Sequence, residues 1–260
     1  MRIGDVQVVS HTADQVLSHV VRRLEVPHPA PLAVGSVNLD HLHHFRPGRA
    51  RIGSQPDWLW LADGAPVAFR GTRLVGRPWP RVTGADLLEP ILDLAAARDA
   101  RVGFFGGVPE MHTRLSRVLK MRHPQAPPAR FWSPTREEVE CAHSSAALAD
   151  QIRAAGVQIL VVGLGKPRQE LWIQRHAAET GAAVLLAFGA AADFLAGVVE
   201  RAPLFYQRHG LEWLYRLRKE PRRLVRRYLV QGPPALFRLR HATIEATVKS
   251  TSPVRPGQQP

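Results

Sequence analysis

The stretch "VQILVVGLGKPRQELWIQRHAAE", residues 157–179, decides the fold. Its first half is the clearest central strand in the chain, an apolar run of the kind required by a sheet covered on both faces. Glycines punctuate its end, and a helix follows from Pro167. Strand, glycine turn and helix make the repeating unit of a parallel α/β sheet.

The same alternation recurs on both sides. "AAVLLAFGA" (182–190), "RVGFFGG" (101–107), "DWLWLA" (57–62), "PLAVGSVN" (31–38) and "DVQVVS" (5–10) read as strands. "TADQVLSHVVRRLEV" (12–26) places Val16, Leu17, Val20, Val21 and Leu24 at helical spacing behind Thr12 as N-cap. "LDHLHHF" (39–45) and "TGADLLEPILDLAAARD" (83–99), the latter capped by Thr83 or Gly84, are further helices. The reading predicts a Rossmann-like α/β fold, a mostly parallel sheet flanked by helices. "AAVLLAFGAAADFLAGVV" (182–199) carries Asp193 and two glycines and falls short of the roughly 20 apolar residues of a span, so it reads as a buried strand followed by a helix. No secretory signal is expected at the start.

Bulk composition sets the partners. Hydrophobic residues make up 45% of the 260, which suits a globular chain, but 35 Lys+Arg against 22 Asp+Glu leave a net charge of +13. Such an excess calls for a polyanion: nucleic acid, acidic lipid or a phosphate-bearing substrate. A single cysteine, Cys141, excludes an internal disulfide and fits a reducing cytosol.

Ligands of parallel sheets bind at the carboxyl ends of the strands, and four such ends carry chemistry here. The first offers Ser36 and Asn38, and the second Asp63 in an Asp-Gly pair. The third is the Gly106–Gly107 turn, whose bare amides suit phosphate oxygens. The fourth is Gly163 and Gly165, followed by Arg168, Gln169 and Glu170. Together they describe a cleft for a diphosphate with one carboxylate in it. The dinucleotide fingerprint fails, because Arg168 stands at its third glycine, and no P-loop occurs. "DHLHH" (40–44) brings Asp40, His41, His43 and His44 together without a zinc-protease pattern, so no metal and no cofactor are expected. Between Asp63 and Thr83, Arg70, Arg73 and Arg77 read as cations solvating a loop.

These stretches also carry a resemblance. "VNLDHL", "LADGAPVAF", "GRPWPRVTGADLL", "GFFGG", "VGLGKPRQELW", "GAAADFLAG", "RAP" and "GLEWLYRLRKEPRRLVRRYL" follow in order between about residues 30 and 232. The chain resembles the WecG/TagA/CpsF family of bacterial glycosyltransferases. The resemblance implies an inverting, metal-independent transfer of a sugar (N-acetylmannosamine-type or hexose) from a UDP-sugar. The implied acceptor is a polyprenyl-diphosphate-linked sugar at the cytoplasmic face of the membrane. It implies Asp63 as general base, with Ser36 where the family has a threonine, and Arg81 near the diphosphate beside Thr83 and Gly84. Asn38, Asp193 and the glycine and Arg168–Gln169–Glu170 positions would contact substrate. Ala192, where the family has phenylalanine, implies a roomier wall beside the donor.

After residue 200 the character changes. Residues 201–240 hold eleven Lys and Arg against two glutamates, a net +9. Leu224, Val225 and Tyr228 form an apolar stripe flanked by Arg222, Arg223, Arg226 and Arg227. This pattern predicts an amphipathic basic helix lying on an anionic bilayer. By resemblance Arg216, Arg223 and Arg226 also reach the active site, Arg216 and Arg223 sharing a face only if Pro221 leaves the helical register intact. The expected organisation is a catalytic domain over 1–200, a basic membrane-docking segment over 201–245 and a disordered tail over 246–260. A nucleic-acid binder and a non-catalytic nucleotide-sugar binder are the alternatives. No nucleic-acid module is found, and a homo-oligomer is compatible with the chain.

Overall fold

The computed structural model describes residues 1–26, 28–208 and 210–244. The expected tail over 246–260 lies outside them. In chain order, β1 (Arg2–Ile3) and β2 (Val6–Gln7) form a small antiparallel hairpin. There follow α1 (Ala13–Glu25), β3 (Leu32–Val37), α2 (Leu39–His44), β4 (Asp57–Ala62), α3 (Ala65–Val75) and α4 (Gly84–Ala96). The middle of the chain gives β5 (Val102–Phe105), α5 (Pro109–Arg122), β6 (Arg130–Trp132), α6 (Arg136–Glu140), α7 (Ala142–Ala154), β7 (Ile159–Val162) and α8 (Arg168–His176). Then come β8 (Val184–Leu186), α9 (Gly189–Leu195), α10 (Leu204–Arg208), α11 (Glu212–Lys219), α12 (Pro221–Val225), a π-helical turn (Arg226–Gln231) and α13 (Gly232–Arg238).

Six strands form one parallel sheet in the order β4-β3-β8-β7-β5-β6. Alternate residues of each strand face opposite layers. Val34, Val161, Leu186 and Phe104 pack with α1, α4 and α9, while Ala33, Leu160, Leu185 and Phe105 pack with α7 and α8. Both faces are buried, which is why these strands read as unbroken apolar runs. The mostly parallel α/β architecture is the one the sequence predicts. The segment 182–199 is the buried strand β8 and the helix α9. Among the described residues no helix is long and apolar enough to cross a membrane.

Three differences bear on the site. First, residues 5–10 do not join the large sheet as a full strand. Only Val6–Gln7 are extended, in the hairpin, with Val8 bridging Trp60 of β4. Second, the Pro- and Arg-rich stretch after Asp63 begins with the helix α3. Its Arg70 does not solvate a loop but donates to the carbonyls of Arg240 (2.8 Å) and Ala242 (3.1 Å). Third, the C-terminal stretch is not uniform. Ala235, Leu239 and Ala242 are buried with Met1, Ile3, Val37, Leu42 and Trp60, and Arg2 pairs with Thr243. Residues 232–244 are therefore built into the α/β body, whereas the described residues of 204–231 lie outside that cluster.

His41 belongs to the same cluster. Its ring stacks on Phe45 and meets Trp60 edge-on, and neither ring nitrogen has a hydrogen-bond partner among the described residues. Burial holds its pKa well below the ordinary value of 6.5, with the Lys166 charge acting in the same direction. The unfolded chain therefore takes up this proton near pH 6.5 while the folded chain resists it, so stability is lost as pH falls below 6.5. We expect the denaturation midpoint to drop between pH 7.5 and 5.5, and His41→Phe to flatten that dependence. An unchanged slope in the variant would assign the acid sensitivity to other groups.

Candidate functional site

The site is set by strand register. Val37 of β3 lies opposite Ala62 of β4, and the Asp63 N–H extends the ladder by donating to the Val37 carbonyl at 3.0 Å. The next residue of each strand, Asn38 and Asp63, must then emerge side by side. Asn38 caps α2: its Oδ1 accepts from the His41 N–H at 3.1 Å, leaving Nδ2 to donate to Asp63 Oδ2 at 3.1 Å. Asp63 is half-buried, and among the described residues it makes no salt bridge. Gly64 then turns with φ +100°, a backbone that favours glycine, and α3 starts with Pro66 in its first turn.

On the other side of the cleft the strand ends are glycines because the loops nearly touch. A Cβ on Gly106 would stand 2.6 Å from the Gly163 carbonyl oxygen, and one on Gly189 2.9 Å from the Gly163 Cα. Loops after β5, β7 and β8 thus meet backbone to backbone. Gly107 and Gly165 are exposed on this rim, as is Arg168, whose Nε donates to the Leu164 carbonyl. Gly84 has a packing reason of its own, since the Phe188 ring would stand 2.6 Å from its Cβ.

Two expected contact residues point inward. Gln169 gives its amide hydrogens to the Ala187 carbonyl (2.9 Å) and Glu170 Oε1 (3.1 Å). Glu170 is fully buried and ion-paired with Lys166, which also donates to the Ser36 carbonyl at 2.9 Å. Lys166 thus ties the β3 end to the start of α8, so that the two walls of the cleft are braced together. The sequence marks Lys166 as one of two cations beside the glycine turn, but not as the partner of a buried Glu170, since a Lys–Glu pair four residues apart is ordinarily a solvated helix pair. His112 carries no signal in the sequence. Its Nε2 lies 2.8 Å from the Gly106 carbonyl and its Nδ1 3.0 Å from Ser133 Oγ. Burial keeps its pKa low, and a neutral ring that donates to Gly106 and accepts from Ser133 fits both contacts.

The Thr83 hydroxyl is spent in a capping box with Asp86, donating to its carboxylate at 2.8 Å. Asp86 also pairs with Arg201. Arg81 meets Glu212 of α11 at 3.2 Å, and Arg201 approaches the same carboxylate at 3.7 Å. The expected diphosphate arginine is therefore engaged with the C-terminal segment. Arg216 lies with its guanidinium 5.6 Å from the Phe194 ring of α9, next to Asp193, which is half-buried. Ala192 is buried in the main core. Glu220 leaves helical backbone (φ −128°, ψ 56°), so Arg216 on α11 and Arg223 on α12 sit on separate helices. Arg226 is exposed. His41 is consumed by the core, and among the described residues no group of three His, Cys, Asp or Glu side chains is placed to hold a metal.

Removing one partner of a buried pair strands the other charge. Lys166→Met is expected to cost about 3–5 kcal/mol, read as a lower urea midpoint, and Lys166→Met/Glu170→Met to recover most of the loss. A double variant as unstable as the single one would show that the carboxylate is not the source of the cost.

The family model described as the glycosyl transferase WecG/TagA/CpsF family matches residues 1–248. The match takes in every strand of the sheet, the C-terminal helices and the cleft.

Proposed function

The chain belongs to the WecG/TagA/CpsF family of glycosyltransferases, and from that premise we propose that it transfers a sugar from a UDP-sugar to a polyprenyl-diphosphate-linked sugar, with inversion and without a metal, in cell-surface polysaccharide or teichoic acid synthesis. The observation that carries the reading is the register-set Asp63, held by Asn38 and not neutralised by a described cation. The acceptor hydroxyl attacks the anomeric carbon opposite the nucleoside diphosphate. A new C–O bond forms there as the bond to the diphosphate oxygen breaks. Asp63 takes the hydroxyl proton. General-base help of this kind is worth about 10²–10⁴-fold. The leaving diphosphate gains negative charge, which calls for cations and backbone amides fixed in advance. Exposed glycine backbone at 107 and 165, Arg168, and the arginines 216, 223 and 226 of the C-terminal helices are the groups for that role.

The acceptor side of the reading is a peripheral membrane site on the cytoplasmic face. Its support is the surface of the C-terminal segment. Phe205, Trp213, Leu214, Leu229, Val230 and Phe237 are all exposed, Leu229 at 58% and Val230 at 62%. Arg218, Arg222 and Arg226 are exposed in the same segment. Large apolar side chains among cations suit a bilayer interface, where each cation contributes about 1 kcal/mol near an anionic surface. Leu224, by contrast, is buried, so the expected stripe divides, with Leu224 facing the protein and Val225 exposed.

Asp63→Asn is expected to retain UDP binding, measured by calorimetry, while UDP release falls by about 10²–10⁴-fold. Retained turnover would remove Asp63 from the mechanism. Because 235, 239 and 242 are core residues, truncation at 200 is not a clean test of membrane binding. Leu229→Ser/Val230→Ser is the better one. It is expected to lose sedimentation with anionic vesicles while keeping turnover on a short-chain soluble acceptor. Undiminished vesicle binding, or stronger binding to oligonucleotides than to vesicles in a salt titration, would overturn the membrane assignment.

A further inference from the structure

Helix α2 has six residues, too few to be stable by itself, yet its N-cap is the Asn38 that orients Asp63. Its position must be imposed from outside. On one side the sheet supplies Trp60 and Val37, against which His41 and Leu42 are buried. Beyond the sheet, Ile3 and Val6 of the hairpin share a core cluster with Leu42, Arg46 donates to the His43 carbonyl at 2.8 Å, and the C-terminal segment adds three further holds. Arg227 Nη2 lies 3.3 Å from Asp40 Oδ2, and the Asp40 side chain is only 9% exposed. Arg238 donates to the Leu42 carbonyl at 3.3 Å. Leu39 closes against Gly232, where a Cβ would stand 4.0 Å from its Cδ1.

The π-helical turn bears on why Arg227 and not its neighbour makes this contact. Pro233 and Pro234 open α13, so the carbonyls four residues earlier, at 229 and 230, lose their usual helical donors and face the proline rings. The chain between α12 and α13 widens into a π turn, which carries more residues per turn and shifts the register of the side chains. Arg227 is half-buried towards α2 while Arg226, Leu229 and Val230 are exposed.

We propose that the Arg227–Asp40 pair is a latch: docking of the π turn on α2 fixes the Asn38 cap and thereby the orientation of the Asp63 carboxylate. Arg227 is then a positioning residue. It acts through α2, not on the diphosphate and not on lipid, and the C-terminal segment governs turnover through the fold. The inference rests on Asp63 as the general base. A misplacement of about 1 Å at a reacting group costs up to about 100-fold, so a loosened cap should be visible in kcat.

The test uses the full chain with Arg227→Met, Arg227→Lys, Asp40→Asn and the double variant Arg227→Met/Asp40→Asn. UDP release is followed with a UDP-sugar and a soluble prenyl-diphosphate sugar, anionic-vesicle sedimentation is measured separately, and hydrogen exchange is read over residues 39–45. A latch predicts that Arg227→Met lowers kcat by about 10- to 100-fold, leaves donor KM and vesicle binding within about twofold, and speeds exchange over 39–45. Arg227→Lys restores most of kcat, and the double variant is no worse than the more impaired single one, as coupled partners require. Unchanged kcat with unchanged exchange overturns the latch. So does a rise in donor KM, which would place Arg227 on the diphosphate, or a parallel loss of vesicle binding, which would place it on the bilayer. If the unaltered chain releases no UDP from any donor, the transferase reading fails. The exchange comparison still decides whether Arg227 holds α2.

Discussion

The parallel pairing of β3 with β4 is the constraint from which the site follows. A strand shifted by one residue would turn every side chain to the opposite face and would carry Asp63 away from Asn38. The pairing is pinned by shape as well as by hydrogen bonds. Gly35 stands opposite Trp60, and a Cβ on Gly35 would meet the indole at 2.4 Å. Only a residue without a side chain lets that ring lie across the neighbouring strand. Trp58 stacks on Trp60 at 4.3 Å, continuing the same aromatic face. Register, indole placement and the position of the carboxylate are one problem with one solution.

The opposite wall of the cleft is stabilised differently. Lys166 and Glu170 are 8% and 0% exposed, a depth at which desolvation rivals the attraction between them. What offsets part of that cost is that Lys166 and Glu170 Oε1 have further partners, although Glu170 Oε2 is buried with no hydrogen-bond partner among the described residues. Lys166 reaches a β3 carbonyl, and Gln169 donates to the same carboxylate oxygen as Lys166 and to the β8 end at Ala187. Two strand ends, those of β3 and β8, are therefore tied to the start of α8. An apolar replacement would match the stability but would not fix where Ser36 lies relative to α8.

Much of this was legible and some was not, for physical reasons. The buried strands announced themselves as apolar runs, and Thr12 and Thr83 as caps, because both signals are local; both threonines form capping boxes. Helix α3 was hidden by Gly71, a poor helix former placed there because Trp79 would meet its Cβ at 2.6 Å. The apolar spacing of Val67, Ala68, Gly71, Leu74 and Val75 is nevertheless helical. Strand β6 has three residues on the sheet edge and pairs only with β5, so it has no run to show. Asp63, Asn38 and the glycine turns were found from strand ends. The partners of Arg81, Arg70 and Lys166 were not, because Glu212, the Arg240 carbonyl and the Ser36 carbonyl are over a hundred residues away in each case. Pairing across such separations is a property of topology and leaves no local trace.

The same separation explains how one stretch holds a net charge of +9 beside a cationic cleft. Its charges are sorted by direction. Arg201 takes Asp86, Lys219 takes Glu200, Arg227 takes Asp40, and Glu212 of the segment takes Arg81 of the body. Exposed pairs of this type add little stability singly, but the partly buried ones fix orientation, since a 9%-exposed Asp40 has few places to find a cation. Once the inward positions are matched, Arg218, Arg222 and Arg226 remain exposed together with the apolar side chains of the π turn. A uniform amphipathic helix would present one stripe and could roll about its axis. The break at Glu220 and the proline-induced π turn give this segment three helical pieces with different facings. It can face protein and an anionic surface at once, and the face committed to the protein is the one that holds α2.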